Sequence, residues 1–187
     1  MNDKFERRQQ TTGYDKGYKW LHWLMAVLVI LMFMATFGFE QAKTEADKIE
    51  MLMGHSTIGS VAFILFLTLF SKRFIFKSPR PKHNLDVVTN MAARVGHSSL
   101  YVLLFYVPVT GFLVARAHEL PVFWLGQVNI SELSEYSEVH FDMIRNLHEL
   151  GVKALMVLVV IHIGAAAFHG LAKKDGVFGA MWLGKKA

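Results

Sequence analysis

Six histidines lie in or at the ends of long apolar stretches, where an ionisable side chain usually has a function. They are His22, His55, His97, His148, His162 and His169. His148 and His162 lie fourteen residues apart in the stretch LHELGVKALMVLVVIH. Fourteen residues make almost four helical turns, so both imidazoles project from one face of a helix, roughly 21 Å apart along its axis. One helix can therefore present metal ligands at two depths.

The sequence contains no cysteine, and this absence excludes several kinds of chemistry. Disulfide bonds, thiolate metal sites, thiol nucleophiles and covalent haem attachment all need a cysteine thiol. Any metal must therefore be bound by histidine, carboxylate or methionine. The ten methionines, among them Met25, Met53 and Met156, are better explained in an apolar chain as residues that fill gaps than as ligands.

The elements that must position these histidines are long apolar helices. Hydrophobic residues make up 53% of the 187-residue chain, more than in an ordinary soluble domain. A helix needs about 20 apolar residues to cross roughly 30 Å of hydrocarbon. Four stretches have that length and predict transmembrane helices at about 19–39, 51–71, 93–115 and 147–171. The predicted fold is an all-α membrane protein, a single domain over residues 1–187 that forms a four-helix bundle.

The distribution of positive charge predicts the orientation of this bundle. Four spans return the chain to its starting side, so the N-terminal segment 1–18, the second connection and the tail 172–187 share one face. That face carries fifteen of the twenty lysine and arginine residues: Lys4, Arg7, Arg8, Lys16, Lys19, Lys72, Arg73, Lys77, Arg80, Lys82, Arg94, Lys173, Lys174, Lys185 and Lys186. Positive residues mark the cytoplasmic side, so both termini are predicted to be cytoplasmic. The basic residues flank apolar stretches without alternating with aromatics, so the net charge of +5 does not indicate nucleic-acid binding.

This orientation converts residue numbers into depths in the membrane. At the outer level His148 can face His55, and at the inner level His162 can face either His22 or His97. Each level then offers two imidazoles from facing helices. That is the ligand count of two bis-histidine haems stacked across a four-helix bundle.

Two other interpretations compete with haem. A single histidine near the end of a span is more often an interfacial residue than a ligand, but opposed pairs at two depths favour function. Structural zinc needs three or four ligands at one point, whereas each level offers two histidines with Glu149 as the nearby carboxylate. Haem therefore fits this pattern better than zinc.

Glycines beside the histidines predict space for a flat macrocycle. Gly54 and Gly59 flank His55 in the segment MGHSTIGS. Gly96 beside His97, and Gly151 and Gly164 in the last span, are expected to act in the same way. Glycine is also common in membrane helices for packing reasons, so this signal only supports the histidine pattern.

The motifs in their order resemble those of the prokaryotic cytochrome b561 family of small di-haem membrane proteins. The resemblance rests on YKWLHW (Tyr18–Trp23), MGHSTIG (Met53–Gly59) and AARVGHSSLYVLLFYVPVTG (Ala92–Gly111), together with the LHE…IH pair and its fourteen-residue interval. It extends from about Tyr14 to Lys186. It implies two haem b groups in a multi-pass protein of the bacterial inner membrane.

The resemblance also implies a role for individual residues. It pairs His22 with His162 on the cytoplasmic haem and His55 with His148 on the outer haem. The His-Trp pair of the first helix matches the family's ligand position, which selects His22 over His97.

Further residues are expected near these groups. Arg94, His97 and His169 would lie near the inner haem or a quinone pocket, with Arg94 either a partner for a haem propionate or simply a positive anchor at the membrane surface. In the outer connection, Phe123 and Trp124 are expected to pack against the membrane surface.

Two six-coordinate haems leave no open iron position, which favours electron transfer over activation of a small molecule at the metal. The resemblance implies electron movement between the periplasmic side and membrane quinone, most specifically superoxide oxidation coupled to ubiquinone reduction. Superoxide is an anion, however, and the outer connection is rich in glutamate. Arg116, Arg145 and Lys153 are the residues that could form a local positive funnel beside His148.

Two alternatives belong to other classes of protein. One is a membrane electron carrier that serves a periplasmic redox partner without superoxide activity. The other is a haem-free four-helix transporter or sensor, which would be colourless when pure.

Overall fold

Four long helices follow one another in antiparallel order in the structure, a computed structural model that describes residues 13–39, 41–76, 81, 83–133 and 138–183. They are α1 (Lys16–Phe39), α2 (Glu45–Phe74), α3 (Val87–Arg116) and α4 (Glu138–Phe168). Each is long and apolar enough to cross a membrane. The predicted all-α, four-span architecture is confirmed. The basic residues Lys4, Arg7, Arg8, Lys77, Arg80, Lys82, Lys185 and Lys186, which entered the orientation argument, lie outside the described residues.

The two ends of the bundle differ in structure. Residues 13–16 and 169–183 lie at one end, called here the terminal end, where a π-helical turn (His169–Lys173) and a short helix α5 (Val177–Ala180) follow α4. At the opposite end, called the hairpin end, strands β1 (Phe123–Trp124) and β2 (Val128–Asn129) pair antiparallel between α3 and α4.

The helices begin earlier than the apolar stretches that predict them. Thr44 caps α2 through a capping box with Asp47, so the helix begins at Glu45, six residues before the predicted start at 51. Asp86 caps α3 by accepting from the Thr89 amide, and the hydrogen bonds from the Thr89 hydroxyl and amide hold the pKa of the Asp86 carboxyl below its ordinary value. Because caps satisfy the free amides of a first turn in water, a helix continues beyond the hydrocarbon that its apolar residues occupy. Polar first turns are therefore missed when hydrophobicity alone sets the boundary.

The outer surface of the bundle is apolar. Val102 on α3 is 65% exposed and Val160 on α4 is 64% exposed, and both lie in the middle of their helices. Large apolar side chains face outward all along the spans, as expected when lipid and not water surrounds them. The chain is a multi-pass membrane protein.

Aromatic rings fill the contact between α2 and α3. Phe66 of α2 is only 3% exposed, and its ring lies 6.3 Å from Tyr101 and 6.5 Å from Phe105 between ring centroids. Neighbouring aromatic rings at such distances contribute about 0.5–1.5 kcal/mol per pair beyond the area they bury. This contact joins the first helix pair to the second.

The hairpin packs on the bundle through its main chain and a small apolar cluster. The Ser56 hydroxyl of α2 donates to the Phe123 carbonyl, and Val122 and Ile130 pack with Ala115 at the end of α3. Phe123 is thus held against α2, while Trp124 stays 43% exposed. Of the two aromatic side chains predicted to meet the membrane surface, Trp124 is the more exposed.

Helices α3 and α4 approach closely at Gly151. A Cβ atom at this position would lie 2.6 Å from Cε1 of Tyr106, whose hydroxyl donates to the Leu147 carbonyl. The expectation that Gly151 makes room for a macrocycle is therefore corrected, because the Tyr106 ring occupies that space.

Replacing Gly151 by alanine is expected to lower the free energy of unfolding by about 1–3 kcal/mol, the usual cost of overpacking. Thermal unfolding in detergent would measure it. Gly164→Ala is the matched control on the same helix, since no atom of the described chain lies within 4 Å of a Cβ there. Equal melting temperatures for the two variants would contradict the close approach.

Candidate functional site

The hairpin end holds one facing pair of imidazoles. The ring centroids of His55 on α2 and His148 on α4 are 6.5 Å apart, with the rings nearly perpendicular at 83°. The Nδ1 atom of His55 is buried and has no hydrogen-bond partner in the described part of the chain. The pair predicted for the outer level is therefore brought together.

His148 is oriented by groups on α3. Its Nδ1 atom lies 3.1 Å from the Val107 carbonyl oxygen and 3.1 Å from the Thr110 hydroxyl. Because a carbonyl only accepts, Nδ1 carries the proton, and Nε2 is left with a free lone pair. Hydrogen-bond partners of this kind, which do not themselves bind the metal, hold a metal-binding histidine in one tautomer and raise its basicity.

Gly111 leaves the space into which the His148 ring fits. A Cβ atom on Gly111 would lie 3.1 Å from Cε1 and 3.4 Å from Nδ1 of that ring. Sequence reasoning missed Val107, Thr110 and Gly111 as part of the site. Their contribution depends on how α3 packs against α4, and no pattern within α3 alone signals it.

The terminal end holds a cluster of three imidazoles. The ring centroid of His162 on α4 lies 6.2 Å from that of His22 on α1 and 5.4 Å from that of His97 on α3. Nδ1 of His22 is buried without a hydrogen-bond partner among the described residues. Nδ1 of His97 is 2.6 Å from the Ala93 carbonyl oxygen of its own helix. Both candidates for the inner level are thus close to His162.

The distances test whether a haem iron fits between these rings. Two imidazoles that bind one metal from opposite sides have centroids roughly 6 Å apart, because each metal–nitrogen bond is about 2 Å and each centroid lies about 1 Å behind its nitrogen. The separations of 6.5 Å for His55 with His148 and 6.2 Å for His22 with His162 match this span. The 5.4 Å between His97 and His162 is shorter than it. The residues present fit bis-histidine ligation at both levels.

A bare metal ion finds a poorer set of ligands. Among the residues that the structure describes, no group of three or more histidine, aspartate and glutamate side chains is arranged to hold an ion. Structural zinc takes four ligands. The geometry therefore favours a group that needs only two axial ligands from the protein.

Arg145, expected beside the outer centre, pairs with a carboxylate of its own helix. Its Nε atom is 3.0 Å from Oε1 of Glu149, with 57% and 44% of the two side chains exposed. Glu149 thus pairs with Arg145. Arg116 donates to the Leu133 carbonyl at 3.4 Å. Two of the three cations of the expected funnel, Arg116 and Arg145, therefore bond to nearby acceptors of the protein.

Arg94 and His169 lie on the terminal side of the inner cluster. Arg94 is exposed on α3, one turn before His97. His169 begins the π-helical turn and forms a hydrogen bond with the Asp175 carboxylate. Burial raises the pKa of the Asp175 carboxyl, but hydrogen bonds from His169 and from the Val177 amide outweigh it and leave that pKa below its ordinary value.

His118 lies outside the predicted site and has a structural role. Its ring meets Phe141 edge-on at 5.0 Å, and its Nδ1 accepts from the Leu120 amide. Burial lowers the pKa of the His118 imidazole below its ordinary value, so it is neutral at pH 7. It joins the loop after α3 to the start of α4.

The chain is similar to known proteins over most of its length. The profile of the prokaryotic cytochrome b561 family matches residues 13–184. Cytochrome b561 homolog 2 of Escherichia coli (strain K12) is 28% identical over 172 residues, which cover 89% of this chain and 88% of that protein. A match that spans all four helices and both histidine pairs shows that the chain belongs to the prokaryotic cytochrome b561 family of membrane electron-transfer proteins, whose members carry b-type haem.

Proposed function

We propose that the protein holds two haem b groups, one between His55 and His148 and one between His22 and His162. The observation that carries this proposal is the pair of centroid separations, 6.5 Å and 6.2 Å, which suit trans imidazoles on one iron. The orphaned ring nitrogens of His22 and His55 support it further, because a buried polar atom usually has a partner.

A haem bound at either level would supply a one-electron redox centre, held by His55 and His148 or by His22 and His162. The side chains of this chain bind and orient that group. Val107 and Thr110 hold His148 in the tautomer that frees Nε2. Helix α4 carries one ligand of each centre, and this spacing aligns the two centres across the membrane.

The chain is proposed to sit in the bacterial inner membrane with both termini in the cytoplasm. The charge asymmetry supports this orientation, since seven of the twelve lysine and arginine residues in the described chain lie at the terminal end. The His55–His148 centre then faces the periplasm and the His22–His162 centre faces the cytoplasm.

Electrons are proposed to move between the periplasmic side and membrane quinone, with superoxide as the donor and ubiquinone as the acceptor. Two superoxide anions each give up one electron and leave as dioxygen, and one ubiquinone takes both electrons together with two protons to become ubiquinol. We place the quinone beside the inner centre, near Arg94, His97 and His169. The closeness of His97 to His162 supports this position.

A second function is favoured by the charges at the hairpin end. Because Glu149 pairs with Arg145, the positive potential that an anion needs beside His148 is reduced. An electron carrier that receives electrons from a periplasmic redox protein needs no such funnel. This alternative keeps both haems and removes superoxide from the scheme.

The deciding experiment is an optical spectrum of the purified protein with a haem-to-protein ratio, followed by a quinone-reduction assay. Two haems per chain and ubiquinone reduction driven by a superoxide generator support the proposed activity. Two haems without superoxide-dependent reduction select the carrier function. A colourless protein purified from haem-sufficient cells contradicts both.

Thr110→Val is expected to weaken the outer haem alone. Valine has the shape of threonine but cannot bond to His148, so one of the two groups that orient this ligand is lost. Loss of such a partner costs roughly tenfold to a hundredfold in metal-site affinity. The rate of haem loss to a scavenging protein measures the change. Thr68→Val is the control, since the Thr68 hydroxyl donates to the Ile64 carbonyl of its own helix. Identical rates for the two variants would contradict the orienting role.

A further inference from the structure

The chain after α4 turns back and contacts α1. Lys174 and Gly176 have positive φ angles of 50° and 85°, and this pair reverses the direction of the main chain. Between them, Asp175 bonds to His169 and accepts from the Val177 amide. Residues 174–183 are called the C-terminal clasp.

Carbonyl groups of the clasp accept hydrogen bonds from the start of the chain. The Trp23 indole Nε1 donates to the Met181 carbonyl at 2.9 Å, and the Tyr14 amide donates to the Ala180 carbonyl at 3.2 Å. Ala180 is only 2% exposed. The ring of Trp182 meets that of Trp23 edge-on at 6.2 Å. The clasp is therefore packed against α1.

This contact matters because of how the helices pair. Helix α1 packs chiefly against α2, whereas α4 packs chiefly against α3. The terminal-end centre takes His22 from α1 and His162 from α4, so its two imidazoles belong to different helix pairs. The clasp is continuous with α4 and bonded to α1, and it joins the two helices that carry these imidazoles.

Trp23 is the residue where the clasp meets the site. Its ring lies edge-on to His22 at 5.7 Å and 89°, and its indole is the donor to Met181. A shift of Trp23 would carry the adjacent His22 with it. The opposite centre, His55 with His148, lies at the other end of the bundle, where the hairpin contacts α2 through Ser56 and Phe123.

We propose that Trp23 is a positioning residue that, through its hydrogen bond to the Met181 carbonyl, holds His22 at ligand distance from His162. The inference rests on the proposed function, because it assumes a haem between these two histidines. It assigns the C-terminal clasp a role in that centre alone.

The test compares Trp23→Phe with Trp20→Phe in detergent-purified, haem-loaded protein. Trp20 lies on the same helix and is 64% exposed, so it serves as the matched control. Phenylalanine keeps an aromatic ring but removes the indole donor and one of the two fused rings, and Trp20→Phe shares that loss of size. A third variant ends the chain after Gly176 and removes most of the clasp without changing any residue of α1.

Two measurements are made on each variant. Trypsin cleavage after Lys173 and Lys174, followed by mass spectrometry, reports opening of the clasp and does not depend on haem. We expect cleavage to be roughly fivefold faster in Trp23→Phe, the factor that loss of one hydrogen bond gives. Electron paramagnetic resonance and redox titration report each haem separately. The resonance signal and the midpoint potential of the inner haem are expected to shift in both Trp23→Phe and the truncated chain. Those of the outer haem serve as an internal reference.

The outcomes separate this inference from the proposed function. If two haems bind but the inner haem of Trp23→Phe and of the truncated chain matches that of Trp20→Phe, the positioning role is overturned while the di-haem proposal stands. Equal shifts of both haems also overturn it, because they indicate general loosening of the bundle. If the unmodified chain binds no haem, the proposed function fails and this inference fails with it.

Discussion

His148→Ala is expected to remove the outer haem and leave the inner one, halving the haem content of the purified protein. Without His148 the outer iron retains only His55, and the opposite axial position has no protein ligand. The inner pair lies almost four helical turns away along α4, so its geometry is not altered. A pyridine haemochrome count against protein concentration measures the change. His55→Ala is expected to give the same half-content.

His140→Ala is the matched control for this variant. His140 is exposed on the same helix, near its start, and its loss is expected to leave both haems in place. Loss of both haems from His148→Ala, with His140→Ala unaffected, would show that the two centres are not independent. Retention of both haems by His148→Ala would exclude His148 as a ligand.

His22→Ala is expected to remove the inner haem, whereas His97→Ala retains it. The rings of His22 and His162 stand 6.2 Å apart, which suits two trans ligands, while those of His97 and His162 stand 5.4 Å apart. His162→Ala should match His22→Ala, because both remove a ligand of the same iron.

The reverse result for this pair of variants would reassign the ligand. If His97→Ala loses one haem and His22→Ala keeps two, α3 and not α1 supplies the second inner ligand. If His97→Ala keeps both haems but its spectrum changes, His97 is a neighbour of the inner centre and not a ligand. This is the position where we place the quinone. Separate haemochrome counts and reduced-minus-oxidised spectra distinguish these results.

Local helix geometry explains why so much of the site could be predicted. The rise and turn of an α-helix are the same in any context, so the interval between His148 and His162 determines their common face and their difference in depth. Counting from the ends of the spans then places His55 at one level and His22 and His97 at the other. The structure places the ring of His55 6.5 Å from that of His148, and the rings of His22 and His97 6.2 Å and 5.4 Å from that of His162.

Polar helix ends and contacts between helices could not be predicted in the same way. The start of α4 at Glu138 lies nine residues before the predicted 147, because a helix does not end where its hydrophobicity ends. Gly151 faces Tyr106 and not a macrocycle. Arg145 pairs with Glu149 one turn away, one of several partners that its flexible side chain could reach.

The sequence by itself determined the four spans, their charge asymmetry and the two levels of histidine, because hydrophobic length and helical period are properties of short segments. Only the tertiary structure decided which imidazoles stand at trans-ligand distance, that Val107 and Thr110 orient His148, and that the C-terminal clasp reaches Trp23. These features depend on the rotation and tilt of each helix against its neighbours. Packing between residues far apart in the chain sets those angles, and no local pattern encodes them.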